Sequence, residues 1–412
     1  MKVLVVQESN WLTRNPHQQH HLMERLAARG HTVRVIDYDV DWKKSNQKGL
    51  SNPRTVYENV HKILPEVSIQ VIRPRSIRLP ILEYFALLIT HRQEIIRQIN
   101  EFKPDVIIGF GILSVWIASR LARRRTIPFI YYWIDVNSTL IPERQFQMLG
   151  RILEKITLRN STKVIVINKK LREYTINVGA NPENTTVIGA GIDLDKFNPT
   201  IDGSVIRSSY GIRQDDIVLF FMGWLYQFSG LKEVALELAR SRDRYSNLKI
   251  FIIGDGDAFT DLQRIRDENQ LGDRIILTGK QPYEKIPEFI AASDICILPA
   301  DPKEKIMQDI VPIKMYEYMA MGKPVISTKL PGIMREFGEE HGVLYADSTE
   351  KVPETAYTIA TNGSIKNHGN SARLYVQDLD WDTITDTFEH TIESCSAVGS
   401  VDKNYQNQRR YV

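Results

Sequence analysis

Cysteine is nearly missing from this sequence: Cys296 and Cys395 are the only two in 412 residues. They stand far apart in the chain, which excludes a disulfide framework and fits a reducing, cytoplasmic setting. Long hydrophobic runs are also missing. No stretch approaches the roughly 18 apolar residues that read as a membrane-spanning helix, and Met1 to Gln7 reads as a short first strand rather than a signal peptide. Charge of one sign is missing as well. The 53 Lys and Arg residues nearly balance 50 Asp and Glu, for a net charge of +3. That excess does not call for a nucleic-acid partner, so any basic surface is local. What is present is the composition of an ordinary globular protein, 42% hydrophobic and 25% charged, at a length that argues for two domains.

Short apolar runs alternate with amphipathic helical patterns. Strands are expected at Val3 to Gln7, Thr32 to Asp37, Asp105 to Gly109, Pro128 to Trp133 and Lys163 to Ile167. Helices are expected at Gln18 to Arg29, 80–101, 111–123, 143–160 and 168–178. A turn-rich connector, Gly189 to Pro199, interrupts the pattern. A second series of strands follows at Ile217 to Met222, Leu248 to Ile253, Arg274 to Thr278, Asp294 to Leu298 and Pro324 to Ser327. Alternation of this kind gives parallel α/β sheets covered on both faces. The expectation is two doubly wound, Rossmann-like domains facing a cleft, with ligands bound beyond the carboxyl ends of the strands. Residues 1–198 form the first and 199–379 the second. A helix at about 380–397 packs back on the first, and 398–412 is expected to be a disordered tail.

The most informative segment runs from Asp309 to Pro324. Pro312 is placed as the first residue of a helix, where its missing N–H costs nothing. First-turn N–H groups, including those of Ile313 and Lys314, then suit a phosphate. Asp309 and Glu317 place two carboxylates along one ligand. An ordinary amphipathic helix with an acidic cap is the blander reading. A second feature is Gly223-Trp224-Leu225-Tyr226-Gln227-Phe228-Ser229-Gly230, a strand-to-helix loop whose small residues let phosphates approach the backbone, with Ser229 as a helix cap. A third is the tight turn Gly254-Asp255-Gly256 after another strand.

Together with the connector Ile192-Asp193…Phe197-Asn198-Pro199 and the run Ala292 to Pro299, these elements resemble the family 4 glycosyltransferases, retaining enzymes of GT-B fold. The core Glu317-Tyr-Met-Ala-Met-Gly-Lys-Pro-Val325 is specific for that group, and the resemblance covers nearly the whole chain, most clearly 160–330. It implies a retaining hexosyl- or N-acetylhexosaminyltransferase using a nucleotide-diphosphate sugar and a hydroxyl acceptor, lipid-linked in many relatives. The acceptor hydroxyl would be the nucleophile, aided by the leaving phosphate. No cofactor or metal is implied; the nucleotide sugar is a co-substrate. Glu317 would bind the ribose and Asp309 the donor-sugar hydroxyls, with Gly223, Trp224, Ser229, Gly230, Gly254, Ile310, Val311, Pro312 and Ile313 also at the donor. The family's Glu, seven residues, Glu pair is here Asp309, seven residues, Glu317. Its Gly-Arg-Leu-x-x-x-Lys-Gly loop carries Trp224 for Arg and Ser229 for Lys. A departing diphosphate still needs charge stabilisation. Lys314 is the expected substitute and Lys232 the second candidate.

The acceptor is expected in the first domain, at His17, Gln18 and Asn137, with Asp135 in a positioning role after the strand ending at Trp133. The cluster His17, Gln18, His20, His21 invites a zinc reading, but these residues open a helix and no metal is expected. The basic run Arg73, Arg75, Arg78 ahead of the apolar stretch 79–89 points to an anionic membrane surface, and hence to a peripheral place on the cytoplasmic face. Two other functions share these features: a non-catalytic nucleotide-sugar-binding partner subunit and an epimerase of the same fold. A dinucleotide oxidoreductase ranks lower, since Gly109-Phe-Gly111 lacks the third glycine of that fingerprint.

Overall fold

The computed structural model describes residues 1–13, 16–38, 51–79, 82–134, 136, 141, 144–308 and 311–408; for Arg144, Ile306 and 397–408 the backbone alone is described. The chain divides into two compact units, Met1–Gly191 with Trp381–Val412, and Ile192–Asp380.

The first unit begins β1 (Lys2–Gln7), α1 (Gln18–Ala28), β2 (Thr32–Ile36), β3 (Ser51–Asn52), β4 (Thr55–Val60), β5 (Ile69–Arg73) and β6 (Ser76–Ile77). It continues α2 (Leu82–Glu101), β7 (Val106–Phe110), α3 (Leu113–Arg124), β8 (Phe129–Trp133), α4 (Arg144–Asn160), β9 (Lys163–Val166), α5 (Lys169–Val178) and β10 (Thr185–Val187). Eight strands form one sheet in the order β10-β9-β8-β7-β1-β2-β5-β4. Only β4 runs antiparallel to its neighbour among the described strands of this sheet. Helices cover both faces, so Val3 to Val6 and Val106 to Ile108 are fully buried, as continuous apolar strands must be.

The second unit runs α6 (Ser204–Ser209), β11 (Ile217–Met222), α7 (Leu231–Arg240), β12 (Leu248–Ile253), α8 (Phe259–Glu268), β13 (Ile275–Leu277), α9 (Ile286–Ala291) and β14 (Ile295–Leu298). Then come α10 (Ile313–Ala320), β15 (Val325–Thr328), α11 (Pro331–Phe337), β16 (Val343–Ala346), α12 (Val352–Thr361) and α13 (Ile365–Val376). Its six parallel strands are ordered β13-β12-β11-β14-β15-β16. Taken in chain order this is 3-2-1-4-5-6, the winding whose switch point lies between the first and fourth strands, here β11 and β14.

The chain then returns to the first unit as α14 (Trp381–Gln408). His21 of α1 stacks on Trp381 with ring centroids 4.0 Å apart, and Arg29 reaches Glu389 at 2.6 Å. The helix is continuous past 397, where the sequence pattern had placed a disordered tail; residues 409–412 lie outside the described residues. No described helix is long and apolar enough to cross a membrane.

Candidate functional site

In the second unit, β11 and β12 end side by side, and their loops leave in backbone contact. Gly223 N–H donates to Ile253 O at 2.9 Å, and Leu225 N–H to Asp255 O at 3.0 Å. A Cβ on Gly254, whose φ is +136°, would overlap the Gly223 carbonyl. At the far end of the first loop, Gly230 takes φ +73° as the N-cap of α7, and a side chain there would run into the Pro299 carbonyl after β14. The glycines thus let the loops after β11, β12 and β14 close on one another at the switch point, with no side chains between them.

α10 supplies the functional groups. Its N-cap is Pro312, one residue outside the helix rather than its first residue, which leaves the first turn's N–H groups at Ile313 and Lys314. The Lys314 ammonium donates to the Met222 carbonyl at 2.5 Å and lies 4.3 Å from the centre of the Phe221 ring. One turn on, the Tyr318 hydroxyl accepts from Met222 N–H at 2.9 Å. The last residue of β11, Met222, is therefore held by α10 at both its backbone polar groups. This places the Lys314 charge against Gly223, where any added Cβ would collide with it. Burial, opposed in part by Glu317, lowers the Lys314 pKa to about 8.

Glu317 is 5% exposed, and its Oε1 accepts from the Tyr283 hydroxyl at 2.5 Å. Burial raises its pKa, while Tyr283, Lys314 and Lys196 pull it down. Lys196 Nζ in turn lies 3.9 Å from the centre of the Tyr283 ring. Neither Tyr283 nor Lys196 was singled out in the sequence. They come from a turn before α9 and from the connector, and no spacing rule links either to Glu317.

Ser229 does not cap α7; Gly230 does, and the buried Ser229 hydroxyl has no hydrogen-bond partner among the described residues. Lys232 is held by side chains of the loop and of α8. Its amine bonds Gln227 Oε1 at 2.5 Å and stands 3.7 Å from Asp261, in a shallow cavity between α7 and α8. Trp224 is 47% exposed, with Lys280 Nζ 5.7 Å from its ring, so it brings no cation of its own to the loop. Val311 is half-buried beside α10; Asp309 and Ile310 lie outside the described residues.

In the first unit the switch point falls between β1 and β7, and an internal group fills it. The Glu8 carboxylate accepts from Ser114 N–H at 2.6 Å, Ser114 Oγ at 2.8 Å and Ile112 N–H at 3.2 Å. Those are the amides at the start of α3, where a dinucleotide would put its pyrophosphate. Burial raises the Glu8 pKa, and the Ser114 and Ile112 bonds oppose it.

His17 is exposed at the N-cap of α1. The Gln18 amide nitrogen donates to the Tyr132 hydroxyl and, at 2.8 Å, to the Gly189 carbonyl. His20 is buried against the Trp11 carbonyl, and burial lowers its pKa to about 4. The histidines therefore serve the start of α1 separately, His20 inward and His21 on Trp381. Asp135 and Asn137 lie outside the described residues. The basic run is also rearranged. Arg73 pairs with buried Asp37 at 2.6 Å, and Arg78 is 7% exposed, which leaves Arg75 alone on the surface.

Two parallel α/β units, with a phosphate-sized backbone loop and the α10 groups at one switch point, define a GT-B glycosyltransferase fold. Family models agree: Glycosyltransferase Family 4 matches residues 18–196, and Glycosyl transferases group 1 matches 203–355. The chain belongs to the family 4 glycosyltransferases. It is 24% identical to a sulfoquinovosyl transferase of Arabidopsis thaliana over 342 residues, 79% of this chain and 64% of the relative. It is 25% identical to a UDP-Gal:alpha-D-GlcNAc-diphosphoundecaprenol alpha-1,3-galactosyltransferase of Escherichia coli over 228 residues, 54% of this chain and 56% of the relative. The chain thus spans somewhat under two thirds of the length of these curated relatives. Among solved structures, HepE of Anabaena in complex with UDP superposes with TM-score 0.70 at 17% identity, over 96% of this chain and 100% of that one.

Proposed function

We propose that the chain transfers a glycosyl unit, a hexose or N-acetylhexosamine, from a nucleoside-diphosphate sugar to a hydroxyl acceptor with retention of configuration. The observation that carries this is the Lys314 ammonium held 2.5 Å from the Met222 carbonyl, against the Gly223 loop. It supplies the charge that the family's loop draws from the positions held here by Trp224 and Ser229.

In this reading the diphosphate lies over Gly223 to Gly230, facing Lys314 and the first-turn amides of α10. The unpartnered Ser229 hydroxyl is a further donor. Glu317, oriented by Tyr283, accepts from the ribose hydroxyls, and Asp309 holds hydroxyls of the sugar. The acceptor oxygen attacks the anomeric carbon as its bond to the β-phosphate oxygen breaks. The acceptor's proton passes to that phosphate oxygen, so no enzyme nucleophile is needed. Lys314 and the amides are fixed before the charge develops, and such preorganised donors are worth about 3–4 kcal/mol each. Asp135, Asn137 and His17 are the acceptor-side candidates. The direct test is release of nucleoside diphosphate by the purified protein with UDP- and GDP-sugars. Turnover that is lost in Lys314→Ala supports the reading; full turnover in that variant overturns it.

A further inference from the structure

Two helices of the first unit bury apolar residues such as Ile95 and Leu158 and also carry a second apolar stripe on the outward face. Along α2, Leu82, Phe85 and Ile89 follow one another at i, i+3 and i+7 and are 52%, 60% and 62% exposed. The same helix buries Glu83 and Glu94, at 5% and 3% exposed. Along α4, Met148, Leu149, Ile152 and Ile156 form a second outward stripe, at 73%, 51%, 47% and 36% exposed. Here Glu154 and Thr157 face inward, at 1% and 0%. A surface helix normally turns its apolar stripe to the core and its polar face to water. The first turns of the two helices meet through Tyr84 and Phe146, whose ring centroids lie 6.2 Å apart.

Among the described residues, the exposed charge beside these stripes is mostly positive. Within α4 the only carboxylate is Glu154, and in α2 only the final residue, Glu101, carries an exposed one. Arg92, Arg151 and Lys155 are exposed beside the stripes. Arg120, Arg123 and Arg124 of α3 surround Ile156 and Asn160 at the far end of α4.

We infer that α2 and α4 form an in-plane docking face for a bilayer surface carrying anionic headgroups, with the apolar stripes in the acyl boundary and the flanking cations on the headgroups. Apolar side chains on one face and Lys and Arg at its margins are what an interfacial helix needs, and cations within a Debye length of the surface add to the attraction. Exposed apolar side chains beside charge mark an interaction site. The positive rim favours a lipid surface over a second copy of this chain, which would set like charges against one another. The inference stands apart from the transferase reading, because it uses no residue of the donor site.

The test is co-sedimentation of the full chain with vesicles of phosphatidylcholine, alone or mixed with phosphatidylglycerol. Binding to the mixed vesicles is expected, weakened by salt and by Arg120→Glu with Arg124→Glu. Phe85→Ser with Ile152→Ser is expected to lower partitioning about tenfold or more. Both pairs are surface changes, so circular dichroism and the affinity for UDP should be unchanged, which separates loss of docking from loss of fold or of donor binding. The inference is overturned if the wild-type chain fails to sediment, or if the serine variant sediments as well as wild type. It is also overturned if ultracentrifugation shows a dimer that the serine variant dissociates, since the face would then belong to a second copy.

Discussion

The Tyr283 hydroxyl donates to Glu317 at 2.5 Å, so the carboxylate proposed to bind the nucleotide's ribose is already oriented in the free protein. Burial raises its pKa, and the Tyr283 bond opposes that rise. Glu317→Ala should weaken UDP binding about ten- to a hundredfold, the loss of one or two hydrogen bonds to a charged group. Titration calorimetry measures this directly, and an unchanged Kd would remove Glu317 from the donor site.

Lys314 makes donor binding sensitive to alkaline pH. Its folded pKa of about 8 lies below the ordinary 10.5. Between those values the unfolded chain holds the extra proton, and this group makes stability rise with pH. Nucleotide affinity should run the opposite way, falling as pH climbs through about 8 and the ammonium is lost. Lys314→Arg, which stays protonated, should flatten that limb. UDP affinity measured from pH 7 to 9.5 checks both, and a flat wild-type profile would exclude Lys314 as the phosphate's cation.

Gly230→Ala is expected to destabilise the second unit. A non-glycine residue at φ +73° costs about 1–3 kcal/mol, before the overlap with the Pro299 carbonyl is relieved. A fall in Tm of roughly 2–4 °C per kcal/mol should appear in the melting curve. A wild-type Tm would mean that the αL cap is not formed.

Gln18→Ala should act on stability rather than on acceptor affinity. It leaves the Tyr132 hydroxyl and the Gly189 carbonyl without their shared donor, at about 1–3 kcal/mol. A lower Tm with an unchanged KM for the acceptor is the expected result. The reverse pattern would return Gln18 to the acceptor site.

Much of the fold was legible because strands buried on both faces must be apolar throughout. Ile217–Met222 and Leu248–Ile253 were read to the residue for that reason. Thr55–Val60 was not, since it is an antiparallel edge strand with a Tyr-Glu-Asn centre and partial exposure. Val343–Ala346 and Thr185–Val187 are too short to show a period. At the donor side, Lys314, Glu317, Gly223 and Gly254 could be named because one helix start and two glycine turns carry a local signal. Which way a side chain turns has no such signal. Lys314 toward Met222, Lys232 toward Asp261 and Arg73 toward Asp37 are decided by tertiary neighbours.

The Glu8 carboxylate at the start of α3 gives the two similarly wound sheets unequal chemistry. A diphosphate reaching the first unit would find the Ile112 and Ser114 amides already taken by the carboxylate. The chain thus carries its own competitor for misplaced nucleotide, and a rising donor concentration should saturate one sheet without obstructing the other.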